Sequence, residues 1–284
     1  MKIGCILVLY NPDNTLLESV LNAIIQQVEG IFIADNSVNT NEIFPSQSRD
    51  RIIYQKMNGN IGIAGAQNVG INYFLKNEFS HLFFLDQDSI LAYGAVDQLM
   101  MDLQELQLKS IRVGGIGARP INRQNGKKYN DSSKKGLFYS ENLTEVTEIM
   151  NSASLIPAKN FIDAGLFEED LFIDGVDNEW CWRAKHLKSL RFFIDEKVFL
   201  SHCLGEGDRY FVTRNIAIPT PFRTYYQFRN YFKLVRRNYV PCHWKILNGL
   251  KYFVKFIYFP IFLKPRQEYF KHIIKGIGDG IKKK

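Results

Sequence analysis

A run of four apolar residues that ends in two aspartates constrains the fold more than any other segment of the chain. Leu82-Phe83-Phe84-Leu85 is typical of a strand buried on both faces, and Asp86 and Asp88 follow directly. Because a buried charge without a partner is costly, we expect both carboxylates at the solvent-facing end of that strand. Ligands of open α/β sheets bind at such strand ends, and two hard oxygen ligands there suit Mg²⁺ or Mn²⁺ together with phosphates. An isolated Asp-x-Asp is more often a solvated turn, so the rest of the chain has to support the metal site.

Strands and helices alternate through the first part of the chain, with short links between them. The order is strand, helix, strand, strand, a glycine-rich turn, helix, and then the strand that ends at Asp86. The predicted segments are 2–10, 14 to about 27, 30–34, 51–55, the turn over 58–70, a helix to about 76 and the strand over 82–85. This pattern predicts a Rossmann-like α/β/α sandwich with a mainly parallel sheet. Residues 118–142 and 203–220 are polar or rich in glycine and proline, which predicts loops.

Cysteine usage indicates a reducing compartment. The four cysteines form no Cys-x-x-Cys pair, which argues against a zinc site and against a disulfide framework. The N-terminal apolar segment is broken by Asn11-Pro12 and has no Ala-x-Ala-like cleavage site, so it is predicted to be the first strand and not a signal peptide. A cytoplasmic protein is expected.

The end of the chain differs from the rest in charge and aromatic content. Residues 223–284 hold 15 Lys and Arg against two acids, a net charge of +13, and the remainder of the chain carries −6. We therefore predict a catalytic domain over 1–220 and a basic, aromatic helical extension over 221–284. Asn248, Lys251 and Lys255 form a narrow polar stripe on an otherwise apolar helix, which predicts a helix lying on an anionic membrane surface with its lysines toward the lipid. On residue type alone, a helix packed on the protein fits equally well. The acidic body and the absence of a recognition motif exclude nucleic acid as the expected partner.

The glycine-rich turn does not match the phosphate-binding motifs of other nucleotide-binding folds. Gly59, Gly62 and Gly65 are spaced by three, so the turn fails Gly-x-Gly-x-x-Gly, and no Gly-Lys-Ser/Thr follows. Small residues there let a backbone approach a sugar diphosphate at the start of the next helix, although a plain tight turn is an equally common use of such a segment.

A second acidic cluster lies near two tryptophans. Asp174, Asp177 and Glu179 precede or open a predicted helix that also carries Trp180 and Trp182. A carboxylate at a helix start is held ionised and can act as a general base, and an indole ring can stack on a sugar. One of the two tryptophans is expected to be a core residue.

Taken in order, these motifs resemble those of family 2 glycosyltransferases of the GT-A fold, and most closely those of bacterial rhamnosyltransferases that build cell-surface polysaccharides. The matching residues are Tyr10-Asn11-Pro12, Asp35-Asn36-Ser37, the segment from Asn60 to Asn68, Asp86-Gln87-Asp88-Ser89, the segment from Phe172 to Arg183, and His202. The Asp-Gln-Asp-Ser and Phe-Ile-Asp-x-Val-Asp-x-Glu-Trp-Cys-x-Arg forms are specific to that subgroup. The resemblance covers about residues 3–237 and includes Tyr225-Tyr226-x-x-Arg229-Asn230.

The resemblance implies how a nucleotide-sugar donor is bound. Asp35, with Asn36 beside it, would bind the nucleotide base. Asp86 and Asp88 would hold Mg²⁺ or Mn²⁺ on the diphosphate, with His202 as a further ligand. The donor-binding residues it implies are Tyr10, Asn11, Asp35, Asn36, Asn60, Gly62, Ala64, Asn68 and Asp86.

The resemblance also implies a catalytic base. Asp177 aligns with the carboxylate that deprotonates the acceptor hydroxyl. Val176 stands where many relatives carry a second acid, and Glu179 is the candidate for that missing charge. The candidates for acceptor or sugar binding are Asp174, Glu179, Trp180 and Trp182.

The expected reaction is the inverting transfer of L-rhamnose from dTDP-L-rhamnose to a polysaccharide or lipid-linked oligosaccharide at the inner face of the cell membrane. A UDP-hexose or UDP-galactofuranose is the alternative donor. A catalytically inactive scaffold with the same fold is the alternative function, and intact Asp86, Asp88, Asp177 and His202 speak against it.

Overall fold

The computed structural model describes residues 1–39, 50–122, 136–202, 208–211 and 214–282, with the backbone alone at 122, 202, 208–211 and 214–217. The strands are β1 (Ile3–Leu9), β2 (Gly30–Asp35), β3 (Ile52–Lys56), β4 (His81–Asp86), β5 (Ile90–Leu91), β6 (Val113–Asn122), β7 (Leu137–Phe138), β8 (Leu143–Val146), β9 (Ser154–Pro157), β10 (Arg191–His202), β11 (Asp208–Phe211) and β12 (Arg214–Ala217). The helices are α1 (Asn14–Ile24), α2 (Gly62–Lys76), α3 (Ala95–Leu108), α4 (Lys159–Ala164), α5 (Val176–Lys188), α6 (Pro221–Leu234), α7 (Cys242–Phe262) and α8 (Arg266–Ile281).

In the described part of the chain, ten strands form one central sheet in the order β3-β2-β1-β4-β9-β6-β10-β8-β7, with β5 paired to β10. Strands β3, β2, β1 and β4 are parallel, as are β6 and β10. Strand β9 lies antiparallel between β4 and β6. The predicted mainly parallel sheet is therefore confirmed, and the carboxyl ends of β1, β2 and β4 share one edge.

Apolar side chains of the central strands alternate between two cores, one on each face of the sheet. Cys5, Leu7 and Leu9 of β1 pack with α1 and α3, while Ile6 packs on the other face with α2, α4 and α5. A parallel sheet is stable only when helices cover both faces, because its strands are apolar on both sides. The α/β/α sandwich is thus built as the sequence predicts.

Two predicted loops contain strands. Strand β6 continues through polar residues to Asn122 because it pairs with the second half of β10, where Arg119 forms an ion pair with Glu196. The hairpin of β11 and β12 lies within 203–220, and its antiparallel pairing joins Asp208 to Ala217. Both errors arise because polar and glycine- or proline-rich residues predict loops even where strand pairing, distant for β6 and local for the hairpin, supplies the backbone hydrogen bonds.

The C-terminal helices pack on one another and on the sandwich. Two glycines let α8 approach α6 closely: a Cβ at Gly276 would lie 2.5 Å from the carbonyl oxygen of Tyr225, and one at Gly280 would lie 2.7 Å from that of Arg229. Leu234, at the end of α6, belongs to the core on the α5 face of the sheet. The division of the chain at residue 220 stays a prediction.

The polar stripe of α7 does not point where the sequence predicts. Lys255 is half-buried, and its Nζ donates to Gln227 Oε1 of α6 at 2.7 Å. Asn248 is also half-buried, and only Lys251 is exposed. The expectation that the lysines of this helix face lipid is therefore wrong for Lys255, because α6 offers its ammonium a hydrogen-bond acceptor on the protein side.

Candidate active site

The sheet register brings the strand-end residues to one edge. Leu9 at the end of β1 pairs with Asp35 of β2, and Val8 pairs with Asp86 of β4. The next residue, Tyr10, exchanges hydrogen bonds with Gln87: the Tyr10 amide donates to Gln87 Oε1 at 2.8 Å, and Gln87 Nε2 donates to the Tyr10 carbonyl at 3.2 Å. The side chain between the two aspartates thus joins the ends of β4 and β1.

Ser37 connects Asn11 to Asp35 through two hydrogen bonds. The Asn11 amide donates to Ser37 Oγ at 2.7 Å, and the Ser37 amide donates to Asp35 Oδ1 at 2.8 Å. The other oxygen of Asp35 accepts the hydroxyl of Tyr54 at 2.6 Å and lies 3.7 Å from Lys56 Nζ. Asp35 is fully buried, so its charge is compensated by these neighbours.

The glycine-rich turn is held by Asn36, whose side chain is buried. Asn36 Nδ2 donates to the carbonyl of Gly62 at 3.1 Å, and the amide of Ile61 donates to Asn36 Oδ1 at 3.3 Å. Asn60, which is exposed, accepts the amide of Gly62 at 3.0 Å through its side chain, just before α2. These contacts place the N-terminus of α2 at the same edge as Asp35.

Gly62 is required by a close approach of the loop before α5. It has φ +79°, and a Cβ there would lie 2.6 Å from the ring of Phe172. The amide of Ile63 donates to the Phe172 carbonyl at 2.8 Å. The glycine-rich turn and the loop that leads to Asp177 are therefore in direct contact.

That loop has a strained backbone. Phe172 and Asp174 have φ of 64°, and Gly175 has φ of 86°. Left-handed conformations cost a non-glycine residue about 1–2 kcal/mol, so neighbouring groups have to hold them. The ring of Phe172 stacks on Tyr226 of α6 with centroids 4.6 Å apart and an interplanar angle of 11°.

Asn230 of α6 holds the same loop by its backbone. Its buried Nδ2 donates to the carbonyls of Leu171, Ile173 and Asp174 at 2.7–2.9 Å. Its Oδ1 accepts from Arg229 Nε at 3.1 Å, which fixes the orientation of the amide. Asn230 therefore positions the residues that precede α5.

Arg223, at the start of α6, is the cation of the site. It forms a two-oxygen ion pair with Asp174, with Nη2 to Oδ1 at 2.7 Å and Nε to Oδ2 at 2.9 Å. This hydrogen bonding, together with the charges of Asp174, Asp86 and Asp177, raises the pKa of Arg223. The strand-end aspartate and the first-turn aspartate of α5 thus lie within electrostatic reach of one guanidinium.

Asp177 is in the first turn of α5 and half-exposed. Its Oδ1 accepts the amide of Asn178 at 2.9 Å. A helix N-terminus offers a favourable electrostatic environment to a carboxylate, and Asp177 occupies such a position.

Asp86 and Asp88 are both half-exposed, as a metal pair requires. Within the described residues, no group of three or more His, Cys, Asp or Glu side chains is placed to hold a metal ion. The two carboxylates still fit Mg²⁺ or Mn²⁺, because these ions bind through one or two carboxylates and take further oxygens from substrate phosphates. His202 ends β10, and its side chain lies outside the part that the structure describes.

Three expected acceptor residues lie in the core instead. Trp180 is 1% and Trp182 2% exposed, and their Nε1 atoms donate to the Gly165 carbonyl and to Glu148 at 2.8 and 3.0 Å. Glu179 is fully buried and pairs with Arg183. None of the three has an exposed surface for a sugar, because neighbouring elements cover all three side chains.

Glu179 is instead the centre of a buried ionic cluster. Its Oε1 lies 2.8 Å from Arg183 Nε and 3.1 Å from Arg237 Nη1, and it accepts the hydroxyl of Tyr239 at 2.7 Å. Burial and this hydrogen bond raise the pKa of Tyr239 to about 12. The charge of Glu179 is therefore used to join α5 to the segment after α6, and not to replace the acid missing at Val176.

Two expected donor-binding residues also serve the scaffold. Ala64 is fully buried in the core around α2. Asn68 is buried, and it donates to the Phe167 carbonyl and to Glu169 while accepting the amide of Phe167. These hydrogen bonds join α2 to the segment before α5.

The sequence reasoning missed Arg223 and the role of Asn230. Arg223 lies outside every motif, and only its place just after a helix-capping Thr220-Pro221 points to it. Asn230 is part of the Tyr225-Tyr226-x-x-Arg229-Asn230 motif, which marked the position but not its contacts.

Comparisons with known proteins agree with this geometry. Residues 5–154 match the family model described as glycosyl transferase family 2. The chain is 27% identical over 289 residues to the dTDP-rhamnosyl transferase RfbF of Shigella flexneri, covering 99% of this chain and 96% of the relative.

Solved structures show the same fold. A fragment of S. aureus TarS in complex with UDP-GlcNAc superimposes with a TM-score of 0.64 at 15% identity, covering 99% of this chain and 80% of that one. GalNAc-T7 with UDP, GalNAc and Mn²⁺ superimposes with a TM-score of 0.56 at 13% identity, covering 92% and 57%. The family model matches more than half of the sequence, so the chain belongs to glycosyl transferase family 2 and is rhamnosyltransferase-like.

Proposed function

We propose that this family 2 glycosyltransferase is a metal-dependent, inverting enzyme that transfers L-rhamnose from dTDP-L-rhamnose to a cell-surface polysaccharide or a lipid-linked oligosaccharide. One observation carries the proposal: Arg223 lies within electrostatic reach of Asp86 and Asp177, so the metal carboxylate and the candidate base face one site. The donor follows from the relative, which is a dTDP-rhamnosyl transferase and aligns over nearly all of both chains.

Asp86 and Asp88 would hold Mg²⁺ or Mn²⁺, with His202 as a further ligand. The ion would supply charge neutralisation on the diphosphate leaving group. On the protein side, Gln87 fixes the strand end that carries both carboxylates by its two hydrogen bonds to Tyr10. The N-terminus of α2, placed by Asn36, faces the same edge and favours a negatively charged ligand.

Asp177 takes the proton from the acceptor hydroxyl. The hydroxyl oxygen forms a bond to the anomeric carbon while the bond from that carbon to the diphosphate oxygen breaks, so the configuration inverts in one displacement. Asp177 lies in the first turn of α5, and its charge acts on Arg223. Asp174 is bound to Arg223 on both oxygens, so its carboxylate is assigned a positioning role.

The proposed location is the inner face of the cell membrane, with a lipid-linked acceptor. In the part of the chain that the structure describes, none of the helices is long and apolar enough to cross a bilayer. The basic C-terminal helices are the proposed contact with the membrane.

The test is nucleoside diphosphate release and donor-dependent thermal stabilisation across a panel of nucleotide sugars, with Mg²⁺, Mn²⁺ or EDTA. We expect a response to dTDP-L-rhamnose that EDTA abolishes. A response to a UDP-hexose or UDP-galactofuranose alone would overturn the donor, and no response to any donor would favour the inactive scaffold.

Two variants test the residue roles. Asp177→Asn should lower transfer by about 10³-fold or more and leave donor-dependent stabilisation unchanged, because the base touches the acceptor. Asp97→Asn is the matched control, since Asp97 is an exposed aspartate in the first turn of α3. Asp88→Ala should remove the response to metal. Loss of donor binding in Asp177→Asn, or an unchanged metal response in Asp88→Ala, would contradict the assigned roles.

A further inference from the structure

Helix α7 presents a continuous apolar face to solvent. Its members are 47–64% exposed and recur at helical spacing: Ile246, Leu247, Leu250, Phe253, Val254, Ile257 and Ile261. At 3.6 residues per turn they occupy one sector of about 120° that contains no charged residue. Monomeric soluble proteins rarely expose apolar patches of this extent, and such patches mark interaction surfaces.

The opposite face of α7 carries the polar contacts. Lys255 lies with its Nζ 5.2 Å from the ring centroid of Tyr252 and donates to Gln227 of α6. Burial lowers the pKa of Lys255 to about 7. The ring of Tyr252 packs on the rings of Phe228 and Tyr231 of α6, with centroid distances of 5.2 and 5.0 Å. The helix therefore has its polar groups toward the protein and its apolar groups outward, the reverse of a helix that only covers a core.

Basic residues lie beside or just after the apolar segment of α7, and α8 exposes further apolar side chains. Lys251, Lys264 and Arg266 are exposed, and residues 242–267 contain no acid. Helix α8 exposes Phe270, Ile274 and Ile281, which are 46–54% accessible. Apolar side chains bordered by cations match the interface of a bilayer with anionic headgroups. The apolar side chains would contact the acyl chains, and the cations would contact the headgroups.

The apolar face of α7 is connected to the loop before the candidate base, Asp177, through packed side chains. Helix α7 packs on α6 through Tyr252 and Lys255. Helix α6 in turn carries Arg223, paired with Asp174, and Asn230, which holds the loop before α5. A surface that immobilises α7 would therefore also set the position of the loop before α5 relative to that surface.

We propose that the outward face of α7, extended by α8, lies flat on an anionic lipid surface and so holds the Asp174–Asp177 end of the site at the bilayer, where a lipid-linked acceptor presents its hydroxyl. The lipid contact stands independently of the catalytic assignment. The statement about the acceptor rests on the proposed function.

The test uses the full chain and sedimentation with vesicles of phosphatidylcholine, with and without phosphatidylglycerol. The triple variant Leu250→Ser, Phe253→Ser, Ile257→Ser removes the centre of the face and should lower vesicle binding roughly 100-fold. Its melting temperature should not fall, because these side chains are already exposed. The matched control, Met101→Ser, Leu108→Ser, Ile162→Ser, replaces apolar residues that are 56–87% exposed on α3 and α4 and should bind as the wild type does.

A second variant, Lys251→Gln, Lys264→Gln, Arg266→Gln, should lose the preference for phosphatidylglycerol while keeping its melting temperature. Equal vesicle binding by the serine variant and the wild type would overturn the proposal. So would a wild-type dimer in solution that the serine variant dissociates without any vesicle binding, because the occupant would then be a second copy of the chain. Donor-dependent release of nucleoside diphosphate without vesicles should be the same in all variants, so failure of lipid docking is distinguishable from failure of the catalytic proposal.

Discussion

Replacing Asn230 by alanine should separate catalysis from donor binding. Asn230 is not one of the proposed reacting or metal-binding residues, but its amide donates to three carbonyls of the loop that leads into α5. The substitution removes these donors and leaves the carbonyls of Leu171, Ile173 and Asp174 without them, in a loop where Asp174 has a positive φ.

The expected loss of stability follows from the burial of the three carbonyls. A fully buried acceptor left without a donor costs about 1–3 kcal/mol, while a half-buried one regains water and costs less. Leu171 is buried and Ile173 and Asp174 are half-buried, so the free energy of unfolding should fall by about 2–4 kcal/mol. At about 2 °C per kcal/mol for a chain of this size, the melting temperature should fall by roughly 4–8 °C.

The expected catalytic effect is larger than the effect on donor affinity. A displacement of about 1 Å at a reacting group can cost 10²-fold in rate, so kcat should fall about 10- to 100-fold as Asp177 moves with the relaxed loop. The KM for the donor should change less than about 3-fold, because Asp86 ends β4 and Asp88 lies in the turn that follows it, outside the loop that Asn230 holds. Rates should be measured well below the melting temperature of the variant.

Asn248→Ala is the matched control, since Asn248 makes a local hydrogen bond to the Trp244 carbonyl at 3.1 Å within α7. It should cost less than about 1 kcal/mol and leave kcat unchanged. Asn230→Asp keeps the shape but replaces the donors by acceptors, so it should be at least as damaging as alanine. A destabilised Asn230→Ala with wild-type kcat would show that Asn230 is structural only and would refute the positioning role.

Two further predictions concern buried charges. Glu179→Gln should lower the free energy of unfolding by about 3–5 kcal/mol, because it leaves the guanidinium groups of Arg183 and Arg237 without their shared counter-ion; a change below about 1 kcal/mol in urea unfolding would contradict it. Burial and the neighbouring Asp195 raise the pKa of Asp102 from 3.8 to about 7, so the folded protein holds a proton that the unfolded chain releases. Stability should therefore fall as pH rises from about 4 to 7, and unfolding of Asp102→Asn across that range should show a flatter profile than the wild type.

The sequence predicts the sandwich well because its strands are apolar on both faces. The run before Asp86 and the alternating cores of β1 follow from local pattern alone, as does the position of the strand-end residues at one edge. The end of β6 is not predicted because its residues form a strand through pairing with the distant β10, and the hairpin of β11 and β12 is not predicted because its surrounding residues are typical of a loop.

Side-chain roles were harder to predict than positions. The acidic and aromatic residues of α5 look alike in sequence, yet a helix turns each residue by about 100°, so Asp177 reaches solvent while Glu179 and Trp180 reach the core. The same geometry turns Lys255 inward. Which face of a helix is covered depends on its neighbours, and a single helical segment does not contain that information.

The loop over 172–175 explains why distant motifs belong to one site. Its carbonyl at Phe172 accepts the amide of Ile63 in the first turn of α2, on the donor side. Two residues later Asp174 binds Arg223 of α6, and Asp177 opens α5. A movement of α6 would therefore displace the candidate base and the glycine turn together, since both contact the same strained segment. For this reason the Tyr225–Asn230 motif is expected to contribute to the site by positioning this loop, although it supplies no reacting group.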